Sequence, residues 1–147
     1  MPINAGEKIT AANTSWDMGG VALTDLTSGV VANTYQAWGS ESVQFPSPGV
    51  PVKVSAQLTG RVFNTTDADA NGMGRVLISI DGGATFTSGN EPFVGTGNNA
   101  GGRGGFASSH YVEGTPTGDI IVKAEARGSD ADNDYMNGFL TALMLPQ

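Results

Sequence analysis

The chain of 147 residues contains no cysteine and a single histidine. The lack of cysteine excludes disulfides, thiol nucleophiles and thiolate-bound metal centres, and one imidazole excludes any site that needs two. Basic residues are also scarce, since Lys and Arg total 7 against 14 Asp and Glu, which gives a net charge of −7. Because nucleic acids and anionic membranes bind basic surfaces, this balance argues against both as partners.

Long apolar runs are missing as well. No segment approaches the roughly 18 apolar residues that a membrane-spanning helix needs. Residues 1–7 have neither the basic region nor the apolar region of a secretory signal. We therefore expect the chain to be made in a cytoplasm and not to be exported by a signal peptide.

Turn-forming residues are abundant, with 22 glycines and 7 prolines, and they leave no long window for a helix. Two segments, residues 52–59 and 120–127, instead alternate apolar and polar side chains as a strand with one buried face does. The positions expected to face the core are Val52, Val54, Ala56, Leu58, Ile120, Val122, Ala124 and Ala126.

Two further segments are apolar on both faces. Residues 75–80 predict a more deeply buried strand, and residues 139–145 predict a central strand or one whose second face meets another subunit. Weaker strand candidates are residues 20–26, 29–37, 42–45, 93–94 and 106–112. Short strands joined by turns predict an all-β fold, an antiparallel β-sandwich or jelly roll over residues 18–147 with an N-terminal arm over residues 1–17.

Two acidic loops resemble parts of a calcium site. Alternate oxygen ligands followed by glycine suit Ca²⁺, but the first loop has Ile78 where the twelfth ligand belongs, and the second has Tyr135 in place of glycine. Two interpretations stay open: solvated acidic turns, or one calcium ion held by both loops. The candidate ligands are Asp67, Asp69, Asn71, Asp130, Asp132 and Asp134.

Two motifs suggest enzymes, but the sequence favours structural roles for both. Residues 79–86 match the Asp-box pattern of sialidases and other β-proteins, which implies a hairpin turn with an aromatic residue packed beneath it. Ser108 and His110 would share one strand face, without the sharp turn that exposes a nucleophile. Aromatic residues, Tyr111 and Phe139 among them, fit core and interface packing or a sugar-stacking platform. We predict that the protein is not an enzyme.

Three segments resemble small virion proteins of tailed bacteriophages. Residues 5–13 (AGEKITAAN) are similar to the start of phage minor tail and appendage proteins, and residues 76–86 are similar to segments found in such proteins. Residues 138–146 (GFLTALMLP) resemble the last strand of trimeric jelly rolls of the tumour-necrosis-factor and C1q type. The resemblance implies a homotrimer with Phe139, Leu143 and Leu145 in its core and trimer contacts.

The resemblance implies a virion protein on the outer surface of a phage particle, synthesised in the host cytoplasm. One function is capsid decoration, in which a trimer binds the major capsid protein and stabilises the shell. Ile3, Ile9 and Trp16 of the arm would then contact the capsid or a neighbouring subunit. The alternatives are a minor tail or fibre-tip protein that recognises a host surface, and a non-viral, calcium-dependent carbohydrate-binding module.

Overall fold

A computed structural model describes residues 17–27, 34–64, 71–95, 101–128 and 134–147. These residues form strands and connections, and they include no helix long and apolar enough to cross a membrane. The strands are β1 (Asp17–Thr27), β2 (Gln36–Ala37), β3 (Val43–Phe45), β4 (Val52–Asn64), β5 (Asn71–Ser79), β6 (Thr87–Ser88), β7 (Phe93–Gly95), β8 (Arg103–Gly114), β9 (Ile120–Gly128) and β10 (Asp134–Pro146).

The strands form two antiparallel sheets. The four-stranded sheet has the order β1-β10-β4-β8. In the six-stranded sheet β9 and β5 are central, with β2 and β3 both pairing β9 on one side and β6 and β7 both pairing β5 on the other. Six of the nine connections between these strands cross from one sheet to the other, and the strand order is that of a jelly roll. The predicted all-β sandwich is confirmed.

The alternating segments were assigned to the correct faces. All eight apolar positions predicted in residues 52–59 and 120–127 are buried, in β4 and β9 respectively. The doubly apolar segment 75–80 largely coincides with β5, in which Val76, Leu77 and Ile78 are all buried. In these strands a local period of two was enough to predict which side chains are inside.

The core between the sheets is built around Trp38 and Phe106, whose rings lie 6.0 Å apart. Trp38 is fully buried, and its backbone N–H donates to the carbonyl of Ala124 at 2.9 Å. The Phe106 ring lies against two glycines from opposite sheets. A Cβ atom on Gly60 in β4 or Gly74 in β5 would come within 2.4 Å of it. The bulky ring fits because both facing positions lack a side chain.

The prediction for the final strand is right about its place and wrong about its core residues. β10 lies between β1 and β4, as expected for a central strand. Phe139 and Leu145, expected in the core, are instead 45% and 39% exposed, and Leu143 also points outward. Both faces of the segment are apolar, so the sequence did not decide which face is inside. The buried residues of β10 are Met136, Leu140, Ala142 and Met144.

The N-terminal arm is not tested by the fold. Ile3, Ile9 and Trp16 lie outside the described residues, which begin at Asp17, the first residue of β1. The partner contacts predicted for the arm therefore stay predictions.

Candidate interaction surface

The outer face of the four-stranded sheet carries a continuous uncharged surface. The register aligns outward-pointing side chains of β1, β10, β4 and β8 in three rows of four residues. None of these residues carries a charge, and we call the surface they form the neutral face. The rows are Met18–Leu143–Ser55–Tyr111, Gly20–Thr141–Gln57–Ser109 and Ala22–Phe139–Thr59–Ala107.

Large apolar side chains project from this sheet into solvent. Met18 is 70% exposed and Tyr111 is 63% exposed, and Phe139 is also exposed on the neutral face. Leu145 lies one row outside the neutral face, next to the row of Leu143. Among the residues that the structure describes, these four are the large hydrophobic side chains that are exposed. Exposed apolar groups gathered on one surface are typical of an interaction site.

Charged residues occur at the two rims of the neutral face. At one rim Lys53 and Glu113 form an ion pair with 2.9 Å between nitrogen and oxygen, and the Lys53 ammonium lies 5.0 Å from the centre of the Tyr111 ring. The hydrogen bond and the negative charge of Glu113 raise the pKa of Lys53. Arg61 is at the opposite rim, paired in register with Asn137 and Gly105. Lys53 and Glu113 therefore neutralise each other, and exposed Asp17, next to Met18, adds a negative charge at the first rim.

The neutral face is uneven as well as apolar. A shallow depression of about 460 Å³ lies beside Phe139, with Ala22, Thr59 and Asn137 among its lining residues. A second depression of about 270 Å³ has Met18 and Leu143 in its lining. Projections next to depressions are what two surfaces need in order to interlock.

The outer face of the six-stranded sheet has the opposite character. Arg75 donates two hydrogen bonds to Glu125, at 2.9 and 2.7 Å, and a third to Glu91 at 2.8 Å. The Tyr35 ring lies 3.9 Å from the guanidinium carbon of Arg75 and 5.0 Å from that of Arg127. Burial and then the nearby charge of Glu91 raise the pKa of Tyr35. These charges pair with each other, as expected for a face in contact with water.

Ser108 and His110 have separate structural partners. The Ser108 hydroxyl is fully buried, donates to the backbone carbonyl of Asn90 at 2.7 Å and accepts the N–H of Val76 at 3.3 Å. His110 contacts the Thr87 hydroxyl at 2.9 Å, and burial lowers the pKa of its imidazole. The two side chains therefore do not form a nucleophile–base pair in the part of the chain that the structure describes.

The Asp-box segment forms the predicted hairpin turn. The Asp81 carboxylate accepts hydrogen bonds from the Ser79 hydroxyl at 2.6 Å and from the Thr85 N–H at 3.0 Å and hydroxyl at 2.5 Å. These bonds lower the pKa of Asp81 to about 2. Gly82 and Gly83 have φ angles of 74° and 90°, which suit glycine. The motif organises a turn, and the aromatic residue beneath it is Phe86.

Four of the six predicted calcium ligands lie outside the described residues. These are Asp67, Asp69, Asp130 and Asp132, while Asn71 begins β5 and Asp134 begins β10. Pairing of β4 with β10 and of β5 with β9 brings the ends of all four flanking strands to one end of the sandwich. Within the described ranges, no three acidic or histidine side chains are grouped to hold a metal ion. Calcium binding stays a prediction.

The sequence indicated only part of this surface. Phe139 and Leu143 were predicted to bind a partner, and both lie on the neutral face. Met18 and Gln57 were not singled out, although the outward phase of Gln57 follows from the alternation in residues 52–59. No local signal showed that β1, β10, β4 and β8 become neighbours, because their order depends on long-range pairing.

Solved structures share the fold at very low sequence identity. No protein-family model and no curated protein matches the sequence. A structure of infectious bursal disease virus, Gx strain, aligns with a TM-score of 0.50 and 11% identity over 97% of this chain and 36% of that one. The VP2 subviral particle of the same virus aligns with a TM-score of 0.50 and 10% identity over 99% of this chain and 36% of that one. The STIV MCP aligns with a TM-score of 0.43 and 13% identity over 86% of this chain and 48% of that one.

These values establish a common fold and nothing finer. The chain spans 36% of the length of the matched chain in each of the two structures from infectious bursal disease virus. Identity of 10–11% shows the fold alone, and the lower TM-score of the third structure supports no argument. This chain is similar in fold to virus particle proteins.

Proposed function

We propose that the chain is a structural virion protein, and specifically a capsid decoration protein that binds the outside of a phage head as a homotrimer and stabilises the shell. The observation that carries the proposal is the contrast between the neutral face on one sheet and the charge-paired face on the other. The jelly-roll topology supports it, because viral capsid domains use this architecture.

The two faces suit the two tasks of such a protein. A decoration protein must stay soluble, which a charge-paired outer face on a chain of net charge −7 provides. It must also adhere to protein, which favours a surface whose burial leaves no charge without a partner. The N-terminal arm, expected to add a strand to the capsid or to a neighbour, would supply the attachment to the shell.

The decisive experiment is the copy number of the protein in purified virions, measured by quantitative mass spectrometry against the major capsid protein. Decoration predicts a simple whole-number ratio between the two proteins. A few copies in each particle would instead favour the minor tail or fibre-tip function, which the similarity of residues 5–13 to phage tail proteins supports. Absence from particles would refute both virion functions.

Deletion of residues 1–16 tests the role of the arm. The shortened chain retains β1, which starts at Asp17, so we expect it to fold and to form the same oligomer as the full chain. We also expect it to lose binding to undecorated particles in a co-sedimentation assay. Undiminished binding by the shortened chain would refute the proposed role of the arm.

A carbohydrate-binding module is the other candidate, and the exposed Tyr111 favours it. Ser55, Ser109 and Asn90 share a surface depression with this ring, and aromatic faces beside hydroxyl and amide groups suit sugars. This function predicts retention on immobilised glycans and, if calcium is required, a lower melting temperature in EDTA. Decoration predicts neither result.

A further inference from the structure

We propose that other copies of this chain are the partner that covers the neutral face. This inference rests on the proposed function and deepens it, because it assigns the surface at which subunits of the oligomer meet. The three large apolar side chains exposed on this face, Met18, Tyr111 and Phe139, would then be buried between subunits.

Polarity is the first argument for burial. The three rows hold only apolar, hydroxyl, amide and glycine positions. Burying a charge without a partner costs several kcal/mol, whereas these groups can be covered without that penalty. The outer face of the six-stranded sheet presents Arg75, Lys123, Glu125 and Arg127, which would each have to leave water.

The distribution of charge is the second argument, and it favours a copy of the same chain as the occupant. Each chain has a net charge of −7, so two copies repel one another in general. Among the described side chains, the charged groups nearest to the neutral face are Asp17, Lys53 and Glu113 at one rim and Arg61 at the other, two negative and two positive charges. This sheet therefore offers an acidic copy a surface without excess negative charge, and it offers a basic partner nothing to attract it.

The size of the face is sufficient for a specific contact. With the row at each rim included, four strands spaced about 4.8 Å apart, each with about nine residues rising about 3.3 Å, present on the order of 500 Å² in projection. In a trimer, each contact would bury on the order of 500 Å² of this surface and a similar area of the next copy, together on the order of 1,000 Å², the lower bound for a biological interface. The projecting side chains and the depressions beside Phe139 and Leu143 increase the real contact area.

Sedimentation velocity of the full chain over a range of concentrations tests the inference. Gln57→Lys places a charge in the middle row of the neutral face. Gln44→Lys is the matched control, because Gln44 is an exposed outward residue of β3 in the other sheet. We expect an oligomer for the wild-type chain and the control, and at least about a tenfold weaker association for Gln57→Lys.

The outcomes separate the surface from the function. An oligomer of any size that Gln57→Lys dissociates and Gln44→Lys does not supports the inference. A monomeric wild-type chain, or equal effects of the two variants, overturns it, and the virion copy number remains an independent test of the proposed function. Thermal melts followed by circular dichroism show whether both variants fold.

A second measurement does not depend on disrupting the contact. The chain has no cysteine, so a spin label can be attached at a single introduced thiol. Labels at Gln57→Cys should give distances between copies within about 30 Å, since packed sheets are about 10 Å apart. Labels at Gln44→Cys should give longer distances. Short distances only at Gln44 would place the contact on the other sheet and overturn the inference.

Discussion

The ring of Phe139 lies over Gly20 on the neighbouring strand, so close that a Cβ atom on Gly20 would be 3.2 Å from two of the ring carbons. The two residues lie on adjacent strands, since Phe139 pairs in register with Ala22. Glycine weakens a strand, and an aromatic ring laid over it from the next strand compensates. Phe139 thus supports the edge strand β1 from the outside of the sandwich.

This position predicts how much the free energy of unfolding falls when the ring is removed. Phe139→Ala should lower the free energy of unfolding by about 1–2 kcal/mol, because roughly half of the ring is already in water. Leu140→Ala, one residue along and fully buried, should cost about 2–5 kcal/mol. Urea denaturation at low protein concentration measures both values. A larger loss for Phe139→Ala than for Leu140→Ala would contradict the orientation of β10.

The space around Phe106 predicts that glycine is required at Gly74. Gly74→Ala would place its new methyl carbon within 2.4 Å of the Phe106 ring, and overpacking of this kind costs about 1–3 kcal/mol. Gly105→Ala is the control, because the nearest atom to its new methyl group is 3.8 Å away. Equal melting temperatures for the two variants would contradict the packing described here.

The buried hydroxyl of Ser108 predicts a second stability difference. Ser108→Ala removes the acceptor for the Val76 N–H and the donor to Asn90, so we expect a loss of about 1–3 kcal/mol. Ser109→Ala changes an exposed side chain and should alter stability by less than about 0.5 kcal/mol. Denaturant titration of both variants checks the contrast, and near-equal values would count against the assigned hydrogen bonds.

The low pKa of Asp81 predicts a pH-dependent contribution to stability. Its pKa falls from an ordinary value of 3.8 to about 2 in the folded chain, so the stabilisation is complete above about pH 4 and is lost as the pH falls towards 2. Asp81→Asn should therefore reduce the melting temperature at neutral pH and weaken its decline between pH 4 and 2. Identical pH profiles for the variant and the wild-type chain would contradict the assignment.

The sequence by itself determined the features that depend on neighbouring residues. Alternation with a period of two assigned the inner faces of β4 and β9, and the apolar run at Val76–Leu77–Ile78 identified the buried part of β5. The turn from Ser79 to Thr85 was also predictable, because Asp81 bonds to residues within four positions of itself. Abundant glycine and proline excluded long helices and indicated an all-β chain.

Only the tertiary structure decided which face of β10 is buried and which residues share the neutral face. Residues 139–145 are apolar on both faces. Because Gly138 packs against the buried Trp38, the face of β10 that includes Gly138 points into the core. Met18, Gln57, Tyr111 and Phe139 come from four strands far apart in the sequence. Their proximity depends on long-range strand pairing, which no local pattern records, because each pairing is selected by the complete set of contacts in the sandwich.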